Sequence, residues 1–137
     1  EDMARVRAVY DRLKINAELA PFFSDLPARL ASSHLVVSRS GAGTVAELAA
    51  IGRPSILVPL PGAIDQDQFA NAGVLAQAGG ALRIAQADFT PDRLAAEISG
   101  LAAAPERLTV MAASARTTGR LDAADRLADL VVKVAGI

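Results

Sequence analysis

The 137 residues fit a single domain, and a chain of this length buries roughly two-thirds of its unfolded surface, enough for a real core. Apolar residues make up 52% and aromatic ones only 4%, so that core is built from Ala, Leu, Val and Ile, as in helices packed on a parallel sheet. With 14 basic against 15 acidic residues the net charge is −1, which leaves no positive field to hold nucleic acid. Without cysteine there is no disulfide framework, thiolate nucleophile or cysteine-based metal site.

The chain begins at Glu1-Asp2, not at Met, and is expected to be part of a longer protein. Met3, Val6, Val9, Tyr10 and Leu13 share one face of an amphipathic helix over residues 2–13. Ala17 to Phe22 is expected as a strand, followed by Phe23-Ser24-Asp25, where Asp25 can cap a short helix through Leu30. His34, the only histidine, stands just before the next strand and is expected at the surface or strand edge.

Leu35-Val36-Val37 and Ile56-Leu57-Val58-Pro59 are short apolar runs suited to buried parallel strands. Between them a helix carries Val45, Leu48, Ala49 and Ile51 at helical spacing, Gly52 sits at the C′ position, and Pro54 forbids continuation. The loop that enters this helix is Ser38-Arg39-Ser40-Gly41-Ala42-Gly43-Thr44. In a strand-loop-helix-strand unit that loop opens onto the ligand crevice, with the free N–H groups of the helix pointing at it.

Gly41 and Gly43 remove side chains that would hold a ligand away, and a positive φ is expected at Gly43. Amides at a helix N-terminus bind phosphate with help from the macrodipole. The run contains no lysine and matches neither the P-loop nor the dinucleotide fingerprint, so an anion site here is built from backbone. Glu47, one turn inside, can accept two hydrogen bonds from a vicinal diol such as a ribose, or serve as a first-turn capping carboxylate. Arg39 can approach a diphosphate or form a structural ion pair at the strand end.

Leu60 to Ile64 is a Pro/Gly-punctuated loop facing the same crevice, and the helix after it runs through Ala78 to Gly79-Gly80. Gln68 and Asn71, i and i+3 near its start, can turn both amides to one ligand, as a sugar ring requires, or can cap the helix. Asp65-x-Asp67 could hold a divalent ion, but no further cluster completes a shell, and no metal is expected. Ala81 to Ile84 reads as the last strand. Thr90-Pro91 opens one helix, Pro105 a second through Thr117, and Leu121 to Val134 forms a third whose apolar stripe is expected to pack.

The string S-R-S-G-A-G-T-V-A-E-L-A-A-x-G-x-P-S-I-L-V-P, with D-Q-x-x-N-A at Asp67 to Ala72, resembles the donor-sugar motif of the MurG family. The resemblance runs from about Phe22 to the C-terminus. It implies an α/β fold: a Rossmann-like parallel sheet flanked by helices, the N-terminally truncated C-terminal half of a GT-B glycosyltransferase. Residues 1–137 would be a partial UDP-sugar (donor)-binding domain, with 120–137 as a C-terminal helix.

The implied reaction is inverting transfer of GlcNAc from UDP-GlcNAc to lipid I, in peptidoglycan synthesis at the cytoplasmic face of the bacterial inner membrane. No cofactor is implied. Lipid I and peripheral membrane contact would be handled by the rest of the protein, and no catalytic residue is expected in this segment. The resemblance implies UDP-GlcNAc contacts at Gly41, Ala42, Gly43, Thr44, Glu47, Asp67, Gln68 and Asn71, with the main chain at Phe23 against the uracil. The alternative is a nucleotide-sugar-binding subunit of a split GlcNAc transferase that needs a membrane partner.

Overall fold

The computed structural model describes residues 2–62 and 67–136. Three short strands, β1 (Val36–Ser38), β2 (Ser55–Leu57) and β3 (Ala81–Arg83), form a parallel sheet in the order β1-β2-β3. Val37, Ile56 and Leu82 are in register across it. Parallel neighbours need crossovers, which are supplied by α3 (Ala42–Ile51) between β1 and β2 and α4 (Asp67–Ala78) between β2 and β3. Upstream lie α1 (Asp2–Arg12) and α2 (Leu26–Ser32). Downstream come a 3₁₀ turn at Gln86–Asp88 and then α5 (Pro91–Ala102), α6 (Pro105–Thr118) and α7 (Ala123–Ala135).

Helix α3 stops where its sequence tells it to. Gly52 adopts φ 71°, and the amides of Gly52 and Arg53 both turn back to the Leu48 carbonyl. At α5 the Thr90 side chain accepts from the Arg93 amide at 3.1 Å, with Pro91 as the first helical residue.

The core lies between the sheet and α3, α4 and α6, where Leu48, Leu57, Leu75, Ala72 and Ala115 are fully buried. Each buried leucine contributes about 1.5–3 kcal/mol. α6 comes close enough to touch backbone. A Cβ on Gly80 would lie 2.7 Å from Ala115 Cα, and one on Gly119 would lie 2.8 Å from the Ala49 carbonyl oxygen.

Three sequence expectations differ from this fold. Residues 17–22 form no strand: β1 pairs only with β2, and Pro21 can donate no ladder bond. Asp25 stands at the N-cap of α2 but makes no side-chain cap bond, because its carboxylate is taken by Arg29. The stripe of α7 does not pack among the described residues. Leu121, Leu127 and Val131 are exposed, and the helix buries none of its side chains.

No helix of the described residues is long and apolar enough to cross a membrane.

Candidate functional site

β1 ends at Ser38, and Arg39-Ser40-Gly41 turns the chain into α3. Gly41 is the N-cap, with φ −60° and ψ 151°, and its carbonyl accepts the first helical bond from the Val45 amide at 3.0 Å. The amides of Ala42, Gly43 and Thr44 therefore precede the hydrogen-bonded ladder and have no acceptor within the helix. A Cβ placed on either Gly41 or Gly43 meets nothing within 4 Å among the described residues, so the side-chain positions of both glycines are open.

No first-turn carboxylate competes for the positive end of α3. Gly43 lies inside the helix and is not among the positive-φ glycines, so the expectation of a left-handed backbone there is corrected. What its missing side chain provides is open approach. Glu47, four residues on and so on the same helix face, is exposed and has no hydrogen-bond partner among the described residues. Thr44 is half-buried beside it.

A second set of contacts joins this turn to α4. Ser40 is fully buried, and its hydroxyl donates to the Gln68 carbonyl at 2.7 Å. Asn71 Nδ2 donates back to the Ser40 carbonyl at 3.3 Å, and Gln68 Oε1 accepts from the Leu60 amide at 3.0 Å. Each amide side chain is thus half committed to the scaffold. Because Leu60 N–H can only donate and Ser40 C=O can only accept, the orientations are fixed. Gln68 Nε2 and Asn71 Oδ1 have no hydrogen-bond partner among the described residues.

Arg39 forms no ion pair among the described residues; its Nη1 donates instead to the carbonyls of Val58 at 3.2 Å and Pro59 at 3.4 Å. Asp67 accepts from the Gln68 amide at 2.7 Å. Its sequence partner Asp65 lies outside the described residues, as do Ala63, Ile64 and Gln66.

Phe23 belongs to a separate cluster. Its ring lies 4.2 Å beneath the Arg29 guanidinium. Arg29 grips Glu18 through both terminal nitrogens at 2.6 and 2.7 Å, and Asp25 through Nε at 2.7 Å. These bonds tie the irregular 16–25 stretch to α2. The hydrogen bonds from Arg29 hold the Glu18 and Asp25 carboxyls below their ordinary values, and those two carboxylates raise the arginine in turn. His34 is exposed just before β1, at the opposite end of that strand from the glycine turn.

Beyond β2 and β3, Pro59, Leu60, Phe69, Ala85 and Ala87 line an apolar hollow of about 480 Å³. The glycine turn does not line it. The two places share the loop that Gln68 holds through Leu60 N–H and the first turn of α4, where Phe69 faces the hollow.

Sequence reasoning missed Ser40 and the Leu60 amide. A small hydroxyl residue between a strand end and a glycine N-cap was the available signal, but its acceptor lies 28 residues away.

Residues 1–127 match the family described as the glycosyltransferase family 28 C-terminal domain. Relatives from Nitrobacter hamburgensis and Rhodopseudomonas palustris strain BisA53 are 84% and 85% identical over 98% and 100% of the chain. Both carry the name UDP-N-acetylglucosamine–N-acetylmuramyl-(pentapeptide) pyrophosphoryl-undecaprenol N-acetylglucosamine transferase. The chain spans 36% and 37% of their lengths.

Among solved structures, Acinetobacter baumannii MurG superposes with a TM-score of 0.89 at 32% identity, covering 97% of this chain and 40% of that one. The glycotransferase of kitacinnamycin superposes over 89% of this chain and 33% of its own, with a TM-score of 0.58 at 30% identity.

Proposed function

The chain belongs to the glycosyltransferase family 28 C-terminal domain family, and from that premise we propose that it is the donor-binding part of a GlcNAc transferase. The donor is UDP-GlcNAc. The acceptor is the undecaprenyl-diphospho-muramoyl-pentapeptide that the names of its relatives describe. The observation that carries this reading is the set of amides at Ala42, Gly43 and Thr44 with no acceptor among the described residues, beside two glycines whose side-chain positions are open and with Glu47 one turn on.

The roles follow from the groups each position offers. The Gly41–Thr44 backbone, at the positive end of α3, holds the diphosphate. Glu47 takes the ribose diol, and the main chain at Phe23 meets the uracil. Asp67, Gln68 Nε2 and Asn71 Oδ1 address the hydroxyls of the sugar.

In the transfer step an acceptor hydroxyl oxygen forms a bond to the anomeric carbon while the bond from that carbon to the diphosphate breaks. The electron pair leaves with UDP. Negative charge then grows on the diphosphate, where fixed N–H dipoles stabilise it without reorganising. That positive potential comes from the backbone, so the reading assigns no metal. The hydroxyl proton passes to a base that this reading places outside residues 1–137. Because undecaprenol is a membrane lipid and nucleotide sugars are water-soluble, the reaction belongs at a membrane surface, here placed at the cytoplasmic face of the bacterial inner membrane.

The test is transfer of radiolabelled GlcNAc to a lipid I analogue by a chimera. In it, residues 1–137 replace the matching segment of the Nitrobacter hamburgensis relative. The chimera is expected to turn over and the 137-residue chain alone is not, since a positioned base contributes ~10²–10⁴-fold and placement of the acceptor more. Robust transfer by the chain alone, or a folded chimera that binds no UDP, would overturn the reading.

A further inference from the structure

We propose that Ser40 is a positioning residue that sets the spacing between the diphosphate and sugar halves of the donor site. The inference rests on the functional reading above.

Two helix N-termini meet at this end of the sheet, and neither helix is continuous with the other in sequence. α3 begins at Ala42 and presents its free amides, while α4 begins at Asp67 and carries Gln68 and Asn71. Among the described residues, beside the apolar packing of α3 on α4, two hydrogen bonds join their first turns through Ser40. Its hydroxyl reaches the Gln68 carbonyl at 2.7 Å, and its own carbonyl receives Asn71 Nδ2 at 3.3 Å. Ser40 is fully buried, so water does not compete for these bonds.

The arrangement is reciprocal, and that bears on a ligand. Asn71 and Gln68 are the side chains assigned to the sugar, and Ser40 lies one residue before the N-cap assigned to the diphosphate. A ligand that touches only α3 is indifferent to where α4 sits. A ligand that touches both gains from the second contact only if the spacing matches its own. Ser40 itself need not touch either half.

The bond can be removed without leaving an orphan. The Gln68 carbonyl lies in the first turn of α4, where the helix already supplies an amide four residues on. Ser40→Ala therefore deletes the hydroxyl's bond to α4, leaves its acceptor satisfied and the Asn71 bond to the backbone carbonyl in place, and removes only one oxygen from the packing.

The experiment compares UDP and UDP-GlcNAc binding by calorimetry in the chimera, wild type against Ser40→Ala, with KM and kcat for donor turnover. UDP affinity is expected to stay within about twofold. The added affinity for UDP-GlcNAc should fall about fivefold to tenfold, inside the range of one lost hydrogen bond. KM for the donor should rise more than kcat falls. An equal loss of both ligands would mean a general loss of structure, and an unchanged ratio would mean that the tie is incidental. Either result overturns the proposal.

If Ser40→Ala does not fold, the same ratio in Ser40→Cys decides, because the thiol keeps a similar size and only a weak donor. A wild-type chimera that binds neither ligand contradicts the functional reading instead, and this inference with it.

Discussion

Replacing Glu47 by alanine should weaken UDP binding while leaving the fold unchanged. The side chain is exposed on α3 and has no partner among the described residues, so truncation breaks no internal contact. Alanine is also the better helix former by a few tenths of a kcal/mol, and the melting temperature should hold or rise slightly. In the proposed complex, the carboxylate would accept from both ribose hydroxyls. Each such bond contributes about 1.5–3 kcal/mol, and water entering the truncated site offsets roughly half of the pair.

The net loss is then about 1.5–3 kcal/mol, or roughly 10- to 150-fold in Kd. Calorimetry with UDP and with its 2′,3′-dideoxyribose analogue measures this directly. Wild type should lose on the analogue what the variant loses on UDP, and the variant should bind the two alike. Unchanged UDP affinity in Glu47→Ala, or a variant that still prefers the diol, would refute the reasoning.

Gln68→Glu keeps the acceptor that holds the Leu60 amide but replaces the free donor with a carboxylate oxygen, so UDP-GlcNAc should bind about tenfold worse or more in calorimetry, at unchanged stability. Gly80→Ala forces a methyl to within 2.7 Å of Ala115 Cα, and overpacking of this kind costs about 1–3 kcal/mol, read as a lower urea midpoint at constant m.

The Arg29 cluster predicts a pH dependence. Its bonds lower the carboxyls of Glu18 and Asp25 from ordinary values of 4.5 and 3.8, so their stabilisation is complete above those values and disappears as pH falls through the lowered native ones. Melts of wild type and Arg29→Leu should differ at pH 7 and converge at acid pH. A gap that widens on acidification would contradict the assignment.

Local signals in the sequence carried far in this chain. Gly52 and Pro54 mark the end of α3, Thr90-Pro91 the start of α5, and the β-branched runs mark β1 and β2, because each acts through backbone geometry within a few residues. The glycine turn was legible for the same reason. Residues 17–22 read as a strand from local pattern, but a strand exists only through pairing, and β1 pairs with β2 alone.

Asp25 had the sequence of a cap, yet Arg29 offers its carboxylate a stronger, charge-assisted partner. Ser40 shows no periodicity, and its role depends on a carbonyl reached only after β2 and a loop are in place. The stripe of α7 announces a buried face, but a stripe does not say what covers it.

The central claim is that the α3 turn receives the donor diphosphate. The direct measurement is the amide ¹H–¹⁵N spectrum of the labelled chain titrated with UDP. The account predicts saturable shifts that are largest at Gly41, Ala42, Gly43 and Thr44, and smaller ones at Phe23 and Glu47. Shifts centred instead on Leu60, Phe69 and Ala85 around the apolar hollow, with the α3 turn unmoved, would contradict it.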